Sequence, residues 1–270
     1  MVIKLSKTSC PPPHRVRSDR ALLASWGARA VYLGSGLQLP AHRNAVAVLA
    51  LALHAPMRVA LDPRNLEKGF TPCRSVLIEP SQLHLIEMTT HTHAFIYLDA
   101  LSLDLTALRA RCSQQGKTWS FHLENEAEVI ELLAHLPRTA QAWTGVQASL
   151  AKSLGFVQRR ADPRMTSVIQ ALLLSPDDAR HADDWANDVG LSSSRFQHVF
   201  KQTVGVPFRR FRLWARMRIA LACAMRGSTL TEAAMEAGLS SSTHLSAAFK
   251  AMFGIAPSQL IGASPVYVDG

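Results

Sequence analysis

Gly190-Leu191-Ser192-Ser193-Ser194 occurs a second time as Gly238-Leu239-Ser240-Ser241-Ser242 in the last third of this 270-residue chain. This repeat decides the fold that we predict for that part of the chain. The flanking sequence repeats too, in the pairs Asp184 and Glu232, Ala186 and Ala234, Phe200-Lys201 and Phe249-Lys250, and Gly205 and Gly254. The offset grows from 48 to 49 residues downstream of the glycine, so the second copy carries one extra residue. A self-match of this kind indicates that one structural unit occurs twice.

Each copy has the features of two helices joined by a glycine turn. We predict short helices over Asp183–Val189 and Leu230–Ala237, each ending at a glycine that tolerates the left-handed backbone of a helix C-cap. Ser192 or Ser240 would then cap the second helix by accepting backbone N–H bonds. Helix, glycine turn and helix form the helix-turn-helix unit, whose second helix enters a DNA major groove.

The segment between the copies, Pro207–Arg226, predicts a connecting helix. Its apolar residues Phe208, Phe211, Ala215 and Ile219 recur at helical spacing and would face the core. Such a helix is about 30 Å long, and successive major grooves on one face of DNA recur at about 34 Å. One subunit could therefore engage two adjacent grooves.

The charge of the chain agrees with a polyanionic partner. The net charge is +9 and the pI about 9.9, which favours nucleic acid without identifying it. From Val189 to Thr231 there is no acidic residue, but eight basic ones: Arg195, Lys201, Arg209, Arg210, Arg212, Arg216, Arg218 and Arg226. The alternative is a solvated face balanced by Asp177, Asp178, Asp183 and Asp184, but we favour phosphate contact.

The front half shows a different periodicity. Short apolar runs alternate with glycine and proline, and they predict strands over Ala45–His54, Met57–Leu61, Val76–Ile78, Leu83–Met88 and Ala94–Leu98. Short strands at this spacing are typical of a small barrel or sandwich. The C-terminal tail Val266–Val268 also has a strand pattern.

Leu123, Ala127, Ile130 and Ala134 are spaced 4-3-4 and predict an amphipathic helix over Leu123–Leu136. This apolar stripe is the candidate dimerisation surface, although packing against the chain's own barrel explains it equally well.

Residues from about 163 to 262 resemble the DNA-binding domain of AraC/XylS-type transcriptional regulators. The resemblance rests on Trp185-Ala186…Gly190-Leu191-Ser192…Phe196…Phe200-Lys201…Gly205, on Phe211–Ala220, and on Ala233-Ala234…Gly238…Phe249-Lys250…Gly254…Pro257-Ser258. More weakly, Pro40-Ala41-His42-Arg43 and Val76–His84 resemble the cupin-type sensor domain of such regulators. The resemblance implies an α+β protein of two domains. A cupin-like β-barrel with flanking helices occupies residues 1–156, and a linker covers 157–162. An all-α domain with two helix-turn-helix units joined by a linker helix follows over 163–270.

The resemblance also implies which residues meet DNA. Base-reading positions are Ser194, Arg195, Gln197 and His198 in the first unit, and Thr243, His244, Ser246 and Ala247 in the second. The remaining candidate DNA contacts are Ser193, Lys201, Arg209, Arg212, Ser242 and Lys250. Ala247 stands where the family often has a long polar residue, so we expect the second unit to discriminate bases less. Leu239 and Leu245 replace phenylalanines and should preserve the core.

A small-molecule effector would bind in the barrel, with His42, Arg43, His54 and His84 as polar anchors. His91-Thr92-His93 is similar to a cupin metal motif, but no glutamate follows it within a few residues. We therefore expect no metal or other cofactor. The scattered cysteines Cys10, Cys73, Cys112 and Cys223 are typical of free thiols in a reducing compartment.

The sequence thus predicts a cytoplasmic DNA-binding transcription regulator, an activator rather than a repressor, and not an enzyme. Its expected partners are double-stranded DNA, RNA polymerase, a small-molecule effector and a second copy of the chain, with no membrane. One alternative is a metal-dependent cupin enzyme with an appended DNA-binding domain. Another is a ligand-independent regulator whose barrel only dimerises.

Overall fold

The computed structural model of the chain describes residues 21–35, 39–65, 67, 69–87, 92–100, 102–156, 162–262 and 265–268. Its strands are β1 Leu22–Trp26, β2 Arg29–Gly34, β3 Leu39–Arg43, β4 Val48–Ala52, β5 Met57–Ala60, β6 Thr71–Cys73, β7 Ser75–Ile78, β8 Leu83–Glu87, β9 His93–Tyr97, β10 Cys112–Gln115, β11 Trp119–Leu123 and β12 Val266–Val268. Its helices are α1 Asp104–Ala110, α2 Glu126–Ala134, α3 Ala140–Leu154, α4 Pro163–Leu174, α5 Ala182–Asp188, α6 Ser193–Val204, α7 Phe208–Met225, α8 Leu230–Glu236, α9 Ser242–Phe253 and α10 Pro257–Gly262. Within these ranges, no helix is long and apolar enough to cross a membrane.

The N-terminal domain is built from two sheets. The larger has the order β10-β11-β7-β4-β9-β2-β1-β12, and the smaller has the order β3-β8-β5-β6. β4, β5, β7, β8, β9 and β12 lie at the predicted runs, whereas β1, β2, β3, β6, β10 and β11 lie outside them. The two-domain prediction, mostly strands followed by helices, is confirmed.

Both faces of the larger sheet are buried, because side chains alternate between faces along each strand. In β4, Val48 and Ala50 belong to a core shared with the smaller sheet and the C-terminal domain. Leu49 and Leu51 belong to a second core under α1, α2 and α3. The sheet is therefore a layer between two apolar cores, and its strands carry continuous apolar runs.

The predicted amphipathic helix begins later than expected. Leu123 is the last residue of β11, and α2 starts at Glu126. Leu123 and Ile130 are buried within their own domain, Ala134 is half-buried, and Ala127 is exposed. The assignment of Leu123 to a helix is wrong, and two of the four stripe residues are already covered by the chain itself.

The C-terminal domain follows the repeat. Asp162 caps α4 with Pro163 in the first turn, and Thr229 with Glu232 forms a capping box on α8. Ser192 caps α6 by accepting from the Arg195 N–H, as predicted. The cap of α9 is Ser241 and not Ser240, because the extra residue of the second copy lies in the turn before the cap.

The end of the chain returns to the N-terminal sheet. β12 pairs in parallel with β1, in the register Leu22 with Val266 and Ala24 with Val268. Val268 is buried in the core under α1, α2 and α3. The tail that follows the helical domain thus covers one edge of the larger sheet and ties the two domains together.

A buried ion pair supports the N-terminal domain. Arg29 Nε lies 2.6 Å from Asp104 Oδ2 and Nη2 lies 3.0 Å from Oδ1, with Asp104 fully buried. The Arg29 guanidinium also stacks 4.5 Å from the centre of the Phe156 ring. We expect Asp104→Asn to lower the free energy of unfolding by about 3–5 kcal/mol, because it leaves a buried cation without its counter-charge.

The matched control is Glu87→Gln, since Arg58 and Glu87 form an exposed pair with 3.0 Å between Nη1 and Oε2. Its cost should stay below about 1 kcal/mol. Urea unfolding followed by circular dichroism measures both variants. Equal losses would contradict a structural role for the Arg29–Asp104 pair.

Candidate DNA-binding surface and domain interface

α6 is the second helix of the first unit, the one predicted to enter a DNA groove, and we call α6 and its counterpart α9 the reading helices. α6 has an apolar face and a polar face. Phe196, Phe200 and Val204 are buried, and the rings of Phe196 and Phe208 lie 5.3 Å apart. The predicted base-reading side chains lie on the opposite face, where Ser194, Arg195, Gln197, His198 and also Lys201 are exposed. Ser193 is half-buried at the start of the helix. The apolar face therefore packs against the core of its own domain, and the polar side chains lie together on the opposite, exposed face.

The second reading helix, α9, is built in the same way. Its buried side chains are Leu245, Phe249 and Met252. Thr243, His244, Ala247 and Lys250 are exposed, while Ser242 and Ser246 are half-buried. His244 Nδ1 lies 3.1 Å from Ser240 Oγ, so the extra residue of this copy positions the imidazole. Leu239 and Leu245 are both buried, which confirms that the leucines preserve the core.

Only part of the basic window faces outward. Arg195, Lys201, Arg209 and Arg226 are exposed. Arg212 donates to the Arg180 carbonyl at 2.7 Å and also to that of Asp178, and Arg216 Nε donates to the Pro176 carbonyl at 2.7 Å. These bonds fasten residues 176–180, the loop between α4 and α5, to α7. The phosphate contact of Arg212 remains a prediction, and this side chain already donates hydrogen bonds to the α4–α5 loop.

The same loop also meets the second unit. Gly238, with φ +67°, ends the α8 turn so close to Asp177 that an added Cβ would lie 2.8 Å from the Asp177 Cα. A side chain at this position would be strained by the backbone and obstructed by the loop. The α4–α5 loop therefore sets the separation between the start of the first unit and the turn of the second.

Two further arginines of the window connect the domains. Arg210 Nη2 donates to the Arg43 carbonyl at 2.6 Å, and Arg218 Nη2 donates to the Gly27 carbonyl at 2.8 Å. Burial, with a smaller effect from the Arg43 cation, lowers the pKa of Arg210. These side chains hold α7 against the N-terminal domain. The net charge of the window did not predict this role, because it does not show which carbonyls an arginine contacts.

The predicted effector anchors do not form one pocket. His42 and His84 are register partners on β3 and β8, with ring centres 4.4 Å apart and both side chains buried. Arg43 donates to the Ser81 carbonyl beside them, whereas His54 is exposed in the segment after β4. His42 also packs against Gly254, where an added Cβ would lie 3.0 Å from Nδ1. The histidine pair therefore lies at the contact between β3 and the end of α9.

Each imidazole of the pair has a backbone partner. His42 Nδ1 lies 2.9 Å from the Pro40 carbonyl, and His84 Nδ1 lies 2.9 Å from the Gln82 carbonyl. Burial, reinforced by His42, lowers the pKa of His84 to about 3, and burial lowers that of His42 too. Both rings are thus neutral at neutral pH.

The other candidate chemistry is limited. Of the predicted His91-Thr92-His93 motif, His91 lies outside the described residues and His93 is buried in β9. Among the residues that are described, no three His, Cys, Asp or Glu side chains come together to hold a metal. Burial raises the pKa of Cys73 to about 12 and that of Cys112 to about 11, which keeps both thiols protonated and unreactive.

The sequence did not predict a cavity between the domains. A partly open space of about 60 Å³ is lined by aromatic residues of both domains: Tyr32, Phe95, Tyr97, Trp214, Phe249 and Phe253. A more polar cleft of about 240 Å³ adjoins it, with Ser25, Arg218, Arg226 and Tyr267 in its wall. Leu23, Ala30, Arg218 and Leu221 line both spaces. The sequence signal for this cavity was Tyr32 in β2 with the alternating Phe95 and Tyr97 in β9. The aromatic residues that face them come from the other domain, so the strands alone did not predict a cavity.

Comparisons with known proteins agree with this architecture. Residues 185–262 match the model of a helix-turn-helix domain family. ToxT from Vibrio cholerae has a similar structure, with a TM-score of 0.56 and 14% identity over 87% of this chain and 97% of that chain. ToxT with an unsaturated fatty acid bound gives 0.53 and 12%, covering 87% and 95%. ToxT bound to (E)-4-(8-methylnaphthalen-1-yl)but-3-enoic acid gives 0.53 and 13%, covering 87% and 98%. No curated protein sequence matches significantly.

The buried histidine pair makes stability depend on pH. The folded state binds fewer protons than the unfolded chain below the ordinary histidine pKa of about 6.5, so stability should fall as pH drops towards 3. We expect a His42→Asn/His84→Asn variant to lose part of this slope between pH 6.5 and 5, since neither asparagine titrates. Urea unfolding across this range measures the slope, with exposed His54→Asn as control. An unchanged slope in the double variant would contradict the assignment.

Proposed function

We propose that the chain is an AraC/XylS-type transcription regulator that binds an asymmetric DNA site through both helix-turn-helix units under the control of a small molecule. Residues 185–262, which run from within α5 to the end of α10, match the model of a helix-turn-helix domain family. The observation that carries the DNA-binding proposal is the shared construction of α6 and α9. Each has a buried apolar face, a serine cap and an exposed polar face of matching positions.

The connection between the units supports binding by one chain. α7 has 18 residues and therefore spans about 27 Å. The α4–α5 loop, fastened by Arg212 and Arg216, fixes the two units relative to each other. Two units that are rigidly spaced and differ in sequence would select an asymmetric site in two adjacent major grooves.

The two units would contribute differently to specificity. Arg195 can bind guanine O6 and N7 with two hydrogen bonds, Gln197 can pair with adenine, and His198 can bond guanine. The second unit offers shorter groups, Thr243 and Ala247, beside a His244 whose Nδ1 is already engaged by Ser240. We therefore assign most base discrimination to the first unit and mainly phosphate contact to the second.

The test compares Arg195→Ala with His244→Ala on a duplex that the wild-type protein selects from random sequences. Losing a bidentate guanine contact costs about 1–3 kcal/mol, so Kd should rise about 5- to 150-fold for Arg195→Ala and less for His244→Ala. Fluorescence anisotropy at one fixed salt concentration measures both. Lys117→Ala, which removes an exposed cation of the N-terminal domain, is the control. Equal losses for the two variants would reverse the assignment.

The effector would lie between the domains rather than among the predicted histidines. The apolar cavity and the more polar cleft share four wall residues, and their combined volume approaches the lower limit of ligand pockets, about 300 Å³. The cavity is apolar and the cleft contains Arg218 and Arg226, so the chemistry favours a carboxylic acid with an apolar body. The ToxT structures with bound carboxylic acids support the same class.

Activation of transcription, contact with RNA polymerase and dimerisation rest on the family resemblance. Because Leu123 and Ile130 are buried, a dimer could use only Ala127 and Ala134 of the predicted stripe. The metal-enzyme alternative is separated by metal analysis of the purified protein: a stoichiometric transition metal that is lost on changing His91 and His93 would favour it. The alternative of a ligand-independent regulator, whose N-terminal domain only dimerises, predicts that no small molecule binds to this domain.

Thermal unfolding with oleic acid tests the effector class. A ligand that binds the folded state at 100 times its Kd stabilises it by about 2.7 kcal/mol, which raises Tm by several degrees. Arg218→Gln should reduce this shift, because it removes the cation that both spaces share. Arg58→Gln, which removes an exposed cation of β5, should not. If oleic acid and the naphthyl-butenoic acid both leave Tm unchanged, the proposed effector class is wrong.

A further inference from the structure

A basic groove lies between the two helix-turn-helix units. It is open to solvent, has a volume of about 400 Å³, and is lined by His181, Phe208, Arg209, Arg212, Arg216 and His244, together with Ala182 and Leu213. No acidic side chain belongs to this lining. We call it the inter-unit groove, because its walls come from the first unit, from α7 and from the second unit.

The cations of the groove differ in how firmly they are held. Arg212 and Arg216 donate hydrogen bonds to carbonyls of the α4–α5 loop. Burial, reinforced by the Arg212 cation, lowers the pKa of Arg216, and the nearby Asp177 and Asp178 offset only part of this effect. Arg212 Nε is buried and has no hydrogen-bond partner among the described residues. Arg209 is exposed at the start of α7. The groove thus combines a fixed positive wall with one outward-facing guanidinium.

Its position relative to the reading helices places it on the DNA side. His244 belongs to the first turn of α9, among the predicted base-reading residues. His181 directly precedes α5, and the first helix of such a unit crosses the DNA backbone. When α6 and α9 occupy successive major grooves on one face, the minor groove and its phosphates lie between them. Because His181 and His244 both line the inter-unit groove, the groove would then face that stretch.

We infer that the inter-unit groove binds the sugar–phosphate backbone between the two half-sites, with Arg209 as its principal contact. This inference rests on the proposed function and deepens it. A cation that grips phosphates without touching bases favours sequences whose shape brings those phosphates within reach. The spacer between the half-sites would therefore influence affinity although no reading helix contacts it.

The test uses a duplex that the wild-type protein selects from a random library. Single phosphates of the spacer are replaced, one at a time, by neutral methylphosphonates. We expect one or two positions to weaken wild-type binding by about 3- to 10-fold, and expect Arg209→Ala to abolish this sensitivity. The slope of log Kobs against log salt should become shallower by about 1, the value for one lost phosphate contact.

Arg209→Lys should restore the salt slope, which separates loss of a cation from loss of folding, and Lys117→Ala should change neither readout. Two results would overturn the inference: insensitivity of the wild-type protein at every spacer phosphate, or undiminished sensitivity of Arg209→Ala. A failure to select any duplex, or an Arg195→Ala variant that binds as tightly as wild type, would instead count against the proposed function.

Discussion

The structure depends on direct packing of α7 and α9 against the inner face of the larger sheet. Phe95 and Tyr97 of that face share one apolar core with Trp214, Phe249 and Phe253, and the Tyr97 and Phe253 rings meet edge-on at 5.6 Å. Separate domains joined by a linker would leave these surfaces in water. Their burial means that the two reading helices take their orientation from the N-terminal domain.

The C-terminal half was readable from the sequence because its determinants are local. A glycine with positive φ, a serine cap and apolar residues at helical spacing lie within a few positions of each other, and they reproduce α5 to α9 closely. The single wrong detail, the cap at Ser240, arose from placing the extra residue one step too late. Local rules therefore succeeded wherever hydrogen bonds join neighbours in sequence.

The N-terminal half was less predictable, since its contacts are distant in sequence. Leu123 continues the helical spacing of α2 yet lies on β11, because pairing with β10 and β7 decides its conformation. His42 and His84 were identified as polar anchors, but their pairing across β3 and β8 makes them a buried, neutral contact. The arginines show the same limit: the sequence counts their charges, whereas only the fold reveals which carbonyls they bind.

The β1–β2 hairpin contacts α7, the end of the N-terminal domain at Phe156, and the interdomain cavity. Gly27, with φ +57°, permits the two-residue turn, and its carbonyl accepts from Arg218 of α7. Trp26 and Arg29 on either side pack on Phe156, which directly precedes the segment between the domains. Leu23 and Ala30 of the same hairpin line the interdomain cavity.

A ligand in that cavity would therefore contact the β1–β2 hairpin, which also binds α7 through Arg218 and packs on Phe156. Such a ligand shifts the orientation of the reading helices only by the difference between its affinities for the two arrangements. Arg218 lines the cavity and bridges the domains, so a change in its hydrogen bonding acts on ligand and interface together. Control by such a ligand would require no separate pathway, since the wall of the cavity is itself the contact between the N-terminal domain and the helix-turn-helix domain.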